Sequence, residues 1–171
     1  MKWFNMMICL VLVSSGCISL PNSPISPTPR FYMLSALNEN RVSKKINIAP
    51  GVLIGVGPVK VPEYLNRPQM VTMNSQGVLK FDEFDRWGES LDQGLARLIR
   101  EDLTRMLPAA KLTLYPWNPS MGVKYQVTIE VVQLDSQLDG DMHLVVQWVI
   151  IDTQLSKNHK KIIINTMQVP T

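Results

Sequence analysis

Few residues in this chain have the types and spacing needed for chemistry. It has 171 residues, with two cysteines, Cys9 and Cys17, and two histidines, His143 and His159. Neither histidine has an Asp or Glu at ligand-like spacing, so no metal cage or histidine base is expected. Asp82, Glu83 and Asp85 form the one dense carboxylate cluster, and paired carboxylates can do acid–base work. They stand just before Arg86 and a helix start, however, where the helix dipole favours negative charge in any case. A hydrolase using Asp82 and Asp85 is therefore the weakest alternative. The Gly55-Val56-Gly57 run lacks a third glycine and leads into Pro58 instead of a helix, so it is not a phosphate-binding loop. No serine has a nucleophile-elbow context, and the chain reads as a non-enzyme with no cofactor and no metal.

Cys17 is the residue with a definite chemical setting. Lys2 precedes an apolar run from Trp3 to Val13, broken only by Asn5; Ser14, Ser15 and Gly16 then abut Cys17. The run is shorter than the ~20 apolar residues needed to span a hydrocarbon core, and its shape is that of a secretory signal. Small residues before a cysteine resemble the lipobox of bacterial lipoproteins, although Ser14 stands where that pattern usually has leucine. The resemblance implies cleavage after residue 16 and acylation of Cys17. Removal of residues 1–16 would also remove Cys9, leaving Cys17 as the only thiol. Acyl chains, at about 0.8 kcal/mol per buried methylene, would then hold the protein on a membrane. Ile18 follows the cysteine, where aspartate favours inner-membrane retention in enterobacteria, so the sorting rule points to the outer membrane. Residues 17–30 form a proline-rich tether, with prolines at 21, 24, 27 and 29.

The rest, residues 31–171, reads as one domain. Hydrophobic residues make up 46% and charged residues 18%, which excludes a disordered chain, and a formal charge of +3 is too small for nucleic acid. Strands are expected at Phe31–Leu37, Val52–Val61, Gln69–Asn74, Val78–Phe81 and Lys111–Tyr115. Pro58 marks an edge or a bulge in the second of these. Leu91, Leu95, Leu98, Ile99, Leu103, Met106 and Leu107 recur at helical spacing. That pattern predicts a helix over 90–107, with Ser90 and Gln93 as a capping box and Pro108 as the stop. Arg97, Glu101 and Arg105 lie on its solvated side. Alternation at Tyr125–Val131, a doubly apolar Met142–Ile151 and Lys161–Val169 predict an antiparallel meander. The fold class is α+β: a mixed, largely antiparallel sheet with the amphipathic helix on one face.

Two segments are over-specified for a scaffold: Gly57 to Val71 and Leu79 to Asp92. Within them Tyr64, Arg67 and Trp87 are of the types enriched in binding hot spots, and Pro62 and Pro68 stiffen the loop that presents two of them. The bland readings are that Trp87 packs under the helix and that Arg67 pairs with Glu83, Asp85 or Glu89.

Val56–Val59, Pro62–Val71 and Phe81–Asp92 together resemble the ABC-type transport auxiliary lipoprotein family, the PqiC-like lipoproteins. Phe31-Tyr32, Leu34-Ser35 and Tyr115-Pro116-Trp117 extend the match. The resemblance implies a lipid-anchored protein on the periplasmic face of the outer membrane. Its implied partners are a periplasmic MCE-domain protein (PqiB-like) and inner-membrane transport components, with a homo-oligomeric ring receiving the MCE tube. Tyr64, Arg67 and Trp87 are the candidate contacts. Family members usually continue into a carboxy-terminal helix, whereas this sequence stops at Thr171. One sheet face, carrying either Val145, Val149 and Ile151 or their opposite-facing neighbours, is therefore expected to be less covered. The alternative function is a solitary envelope-maintenance lipoprotein that binds a hydrophobic ligand itself, in a cavity between helix and sheet.

Overall fold

The computed structural model describes residues 27–36, 45–74, 76–136, 142–155 and 162–170. The signal segment, Cys17, most of the tether and His159 lie outside them. The strands are β1 (Arg30–Tyr32), β2 (Leu53–Lys60), β3 (Gln69–Met73) and β4 (Leu79–Trp87), then β5 (Lys111–Leu114), β6 (Tyr125–Ser136), β7 (Met142–Asp152) and β8 (Ile162–Pro170). The helix α1 spans Leu91–Met106.

The class is α+β as the periodicities predict, with the strands divided between two sheets. A small sheet has the order β1-β4-β3, and a larger one the order β5-β2-β6-β7-β8. The β6-β7-β8 meander is antiparallel throughout. β2 lies between β5 and β6 and runs parallel to both. It has no free edge, so Pro58 is accommodated by a register shift between Val56 and Val59, as a bulge. Gly57 turns there with φ +114°, a conformation that a Cβ would oppose. The first strand is shorter than expected: pairing stops at Tyr32, opposite Trp87.

Residues directly opposite in a ladder share a face. Ile54 and Val56 align with Leu112 and Leu114 on one side and with Tyr125 and Val127 on the other. The helix packs over this face at β2 and β5. Val56 is fully buried, and Ile129 and Val131 extend the core along β6. Gly55 points to the opposite face, where the Trp117 ring lies on it. Val145, Val149 and Ile151 are half-buried, so that part of the sheet is less covered than the core but not bare.

The helix starts where predicted but is not capped as predicted. Ser90 occupies the N-cap position without a side-chain cap bond, and its buried Oγ has no hydrogen-bond partner. The preceding Glu89 takes over this end of the helix. Its carboxylate folds across Gly94, where an added Cβ would come within 3.1 Å of it, to reach Arg97. Arg97 bonds Glu89, reaches Glu101 at 3.4 Å, and donates to the Leu34 carbonyl at 2.9 Å. A side chain expected on the solvated face therefore ties the helix to the segment that follows β1.

Candidate functional site

The candidate site lies at one end of the small sheet. Pro62 opens a tight turn in which the Leu65 and Asn66 amides donate to its carbonyl at 2.9 and 3.2 Å. Leu65 is buried and anchors the turn, leaving Tyr64 and Arg67 half-buried at the surface. The loop then joins β3. The Trp87 amide donates to the Pro68 carbonyl at 2.7 Å, so Trp87 sits beside the loop although the two are 19 positions apart in sequence. The two segments singled out from the sequence are thus brought together.

Arg67 does not pair with Glu83, Asp85 or Glu89, and the last two are held by other arginines. Its guanidinium lies over the Phe81 ring, 4.4 Å from the centroid, and its Nε is buried without a hydrogen-bond partner. Asp85 accepts two bonds of 2.7 Å from Arg30, and Glu89 holds Arg97. The Glu83 carbonyl accepts from the Arg86 side chain at 3.1 Å. Phe81 is 41% exposed, so the stacked pair faces outward. A cation on an aromatic face contributes about 0.5–1 kcal/mol at such a site, less than a buried unsatisfied N–H commonly costs. Phe81 is not among the site residues that the sequence singles out, although the Phe81–Asp92 segment begins with it. The β3–β4 hairpin pairs Met73 with Leu79 and Val71 with Phe81 around the turn at Gln76 and Gly77.

Beyond Phe81 the register jumps to Gln69 opposite Arg86, because β4 bulges at residues 82–85. Asp82 builds that bulge: one carboxylate oxygen accepts from the amides of Phe84 and Asp85, each at 2.9 Å. The Asp85 and Phe84 amides hold the Asp82 carboxyl below the usual carboxylate range. Asp82 and Asp85 thus shape the strand and hold β1 beside it. A lowered folded pKa stabilises the protein above the unfolded value and loses that contribution as pH falls through the folded one. Urea midpoints measured from pH 6 down to pH 2 are therefore expected to fall more steeply in the wild type than in Asp82→Asn, the difference opening below about pH 4. Equal slopes would mean that the bulge does not depend on the carboxylate's charge.

Among the described residues there is no group of three or more His, Cys, Asp or Glu side chains placed to hold a metal ion. Nor is any described helix long and apolar enough to cross a membrane. His143 lies in β7, paired with Pro170.

A family model described as "ABC-type transport auxiliary lipoprotein component" matches residues 32–170. The search of curated proteins finds no match. Among solved structures, one titled as the crystal structure of an uncharacterized protein has a TM-score of 0.65 at 18% identity, covering 85% of this chain and 80% of that one. Protein XCC0632 from Xanthomonas campestris, of family DUF330, has a TM-score of 0.62 at 10% identity, covering 82% of this chain and 77% of its own. At these identities the likeness is one of fold.

Proposed function

Because the chain belongs to the ABC-type transport auxiliary lipoprotein component family, we propose that it is a non-catalytic adaptor of an envelope transport system. In this reading Cys17 is acylated and holds the protein at the outer membrane, with the domain in the periplasm on its proline-rich tether. The domain docks an MCE-domain partner there, for transport of lipids or other hydrophobic molecules toward or from inner-membrane components, and several copies form a ring. The family match supports the auxiliary role, and the lipobox-like run before Cys17 supports the anchor.

The observation that carries the docking surface is Arg67. Its guanidinium is stacked on the exposed Phe81 ring and has no carboxylate partner among the described residues, on a loop that also carries Tyr64 and is bonded to Trp87 through the Pro68 carbonyl. Arginine and aromatic side chains on a rigid loop are what binding hot spots are made of. The Arg fork, preorganised by stacking, suits a partner's carboxylate or backbone carbonyls.

The test is crosslinking in native envelopes followed by capture and membrane fractionation. Wild-type protein is expected in the outer-membrane fraction with an MCE-domain partner. Cys17→Ala should lose the membrane fraction, and Arg67→Ala should keep it while partner recovery falls about tenfold, the loss of one 1.4 kcal/mol contact. Arg67→Lys should recover little, because an ammonium cannot reproduce the fork. A stable, membrane-bound wild-type protein that captures no such partner would overturn the adaptor reading.

A further inference from the structure

A second surface, remote in sequence from the 62–68 loop, has the features of a peptide-binding edge. β5 is the terminal strand of the larger sheet, and among the described residues one side of it is unpaired. Its Lys111 amide donates to Val52 at 2.8 Å and its neighbour Tyr115 to Val56 at 2.9 Å, so the alternate residues, Leu112 and Leu114, turn their N–H and C=O groups to the open side. An open groove of about 590 Å³ lies between this strand and the second half of the helix. Arg100, Thr104 and Arg105 line it from the helix side, and Ala110, Lys111 and Leu112 from the strand side.

The charges there are unbalanced. Glu101, the one acidic lining residue, is already held by Arg97, and Arg105 is engaged by Asp102 at 3.6 Å. Arg100 and Lys111 have no carboxylate partner among the described residues. A short edge strand bearing a lysine is a known defence against indiscriminate strand pairing. The same lysine lines the groove together with a second cation, Arg100, and the pair discriminates by charge: it repels a basic strand and attracts an acidic one.

We infer that β5 accepts an extended acidic segment of another protein as an added strand, with backbone bonds to Leu112 and Leu114 and carboxylates toward Arg100 and Lys111. This interaction mode combines main-chain bonds for affinity with side-chain contacts for selectivity. The edge spans about 13 Å at strand rise, so a six-residue peptide covers it. Unspent backbone groups favour a peptide over a lipid headgroup or a free phosphate, which would engage the cations and leave the strand edge unchanged. The inference goes beyond the adaptor reading and does not rest on it.

The test uses the isotopically labelled full-length protein in detergent micelles and a hexapeptide alternating glutamate and valine. A lysine–valine peptide, inorganic phosphate and phosphatidylglycerol vesicles are the comparisons. The acidic peptide should shift the Leu112 and Leu114 amide resonances and slow their hydrogen exchange at least tenfold. The Arg100→Glu, Lys111→Glu double variant should bind it at least tenfold more weakly and bind the lysine–valine peptide in its place. Amide protection in the wild type is read independently of whether that variant folds. Binding of the acidic peptide without protection at Leu112 and Leu114 would overturn the inference. So would the same amide changes produced by phosphate or by the vesicles, and so would no binding at all.

Discussion

Gly55→Val is expected to lower the urea midpoint sharply, although valine is the better strand former. An ideal Cβ at Gly55 falls 2.5 to 2.8 Å from three ring atoms of Trp117, closer than carbon atoms approach in proteins. Tyr115 meets the ring edge-on with centroids 5.6 Å apart, so the ring can retreat only by disturbing that contact. Gly55 is buried in β2, whose neighbours β5 and β6 hold it on both sides, so the strand cannot yield instead. Forcing extra carbon into such a site typically costs about 1–3 kcal/mol, and valine's two further methyls place this change at the upper end. Strand propensity works in the opposite direction but spans only about 1 kcal/mol over all residues. A fall of that size is a large share of a typical domain's 5–15 kcal/mol. Trp117→Leu is itself destabilising, yet added to Gly55→Val it should cost less than the sum, because the clash disappears with the ring. A Gly55→Val protein as stable as the wild type would show that Trp117 does not lie on β2.

What could be read from the sequence and what could not follow from how far each determinant reaches. The alternation from Tyr125 and the doubly apolar Met142–Ile151 are local signals, and the β6-β7-β8 ladder forms accordingly. The helix limits, at 91 and 106, differ from the expected 90–107 by one residue at each end. The capping box does not form, and Ser90 makes no side-chain cap bond. Ser90 and Gln93 have the right spacing, but Glu89 is drawn to Arg97, and Gly94 leaves it space to cross the helix. The division into two sheets was not legible, because β1 pairs in parallel with β4 across more than 50 residues, with no turn signal joining them. Pro58 was legible only as an alternative, edge or bulge, and the choice was settled by β5 and β6 arriving on either side. At the site, Tyr64, Arg67 and Trp87 were recognised by type, and the bond from Trp87 to Pro68 brings their segments together. The partner of Arg67 was beyond reach, because the Asp82 bulge changes the register of β4 and Arg30 claims Asp85 from a distant strand. Cys17 lies outside the described residues, and its role stands on sequence alone.

Unequal burial along the helix sets the final expectation. Its apolar stripe is continuous in sequence, but only Leu91 among those side chains is buried, at 3% exposure; Leu95, Leu98, Ile99, Leu103, Met106 and Leu107 are half-buried. The Arg97 bonds to Glu89 and the Leu34 carbonyl also act on the first half. The second half borders the groove along β5, and its end is held by backbone bonds, as from the Ile46 amide to the Met106 carbonyl at 2.9 Å. Leu91→Ala should therefore cost about 2–5 kcal/mol, the loss typical of emptying a filled site. Leu103→Ala should cost less, about 1–2 kcal/mol, since its side chain is only partly buried. Native-state hydrogen exchange should show the same gradient, with amides beyond Arg100 opening at lower free energy than those around Leu95. The acidic peptide on β5 should narrow that difference, because an added strand closes the open side of the helix's looser half. Equal losses for Leu91→Ala and Leu103→Ala would show a helix packed evenly along its length. In that case the space beside Arg100 and Lys111 would be no more than a surface crease.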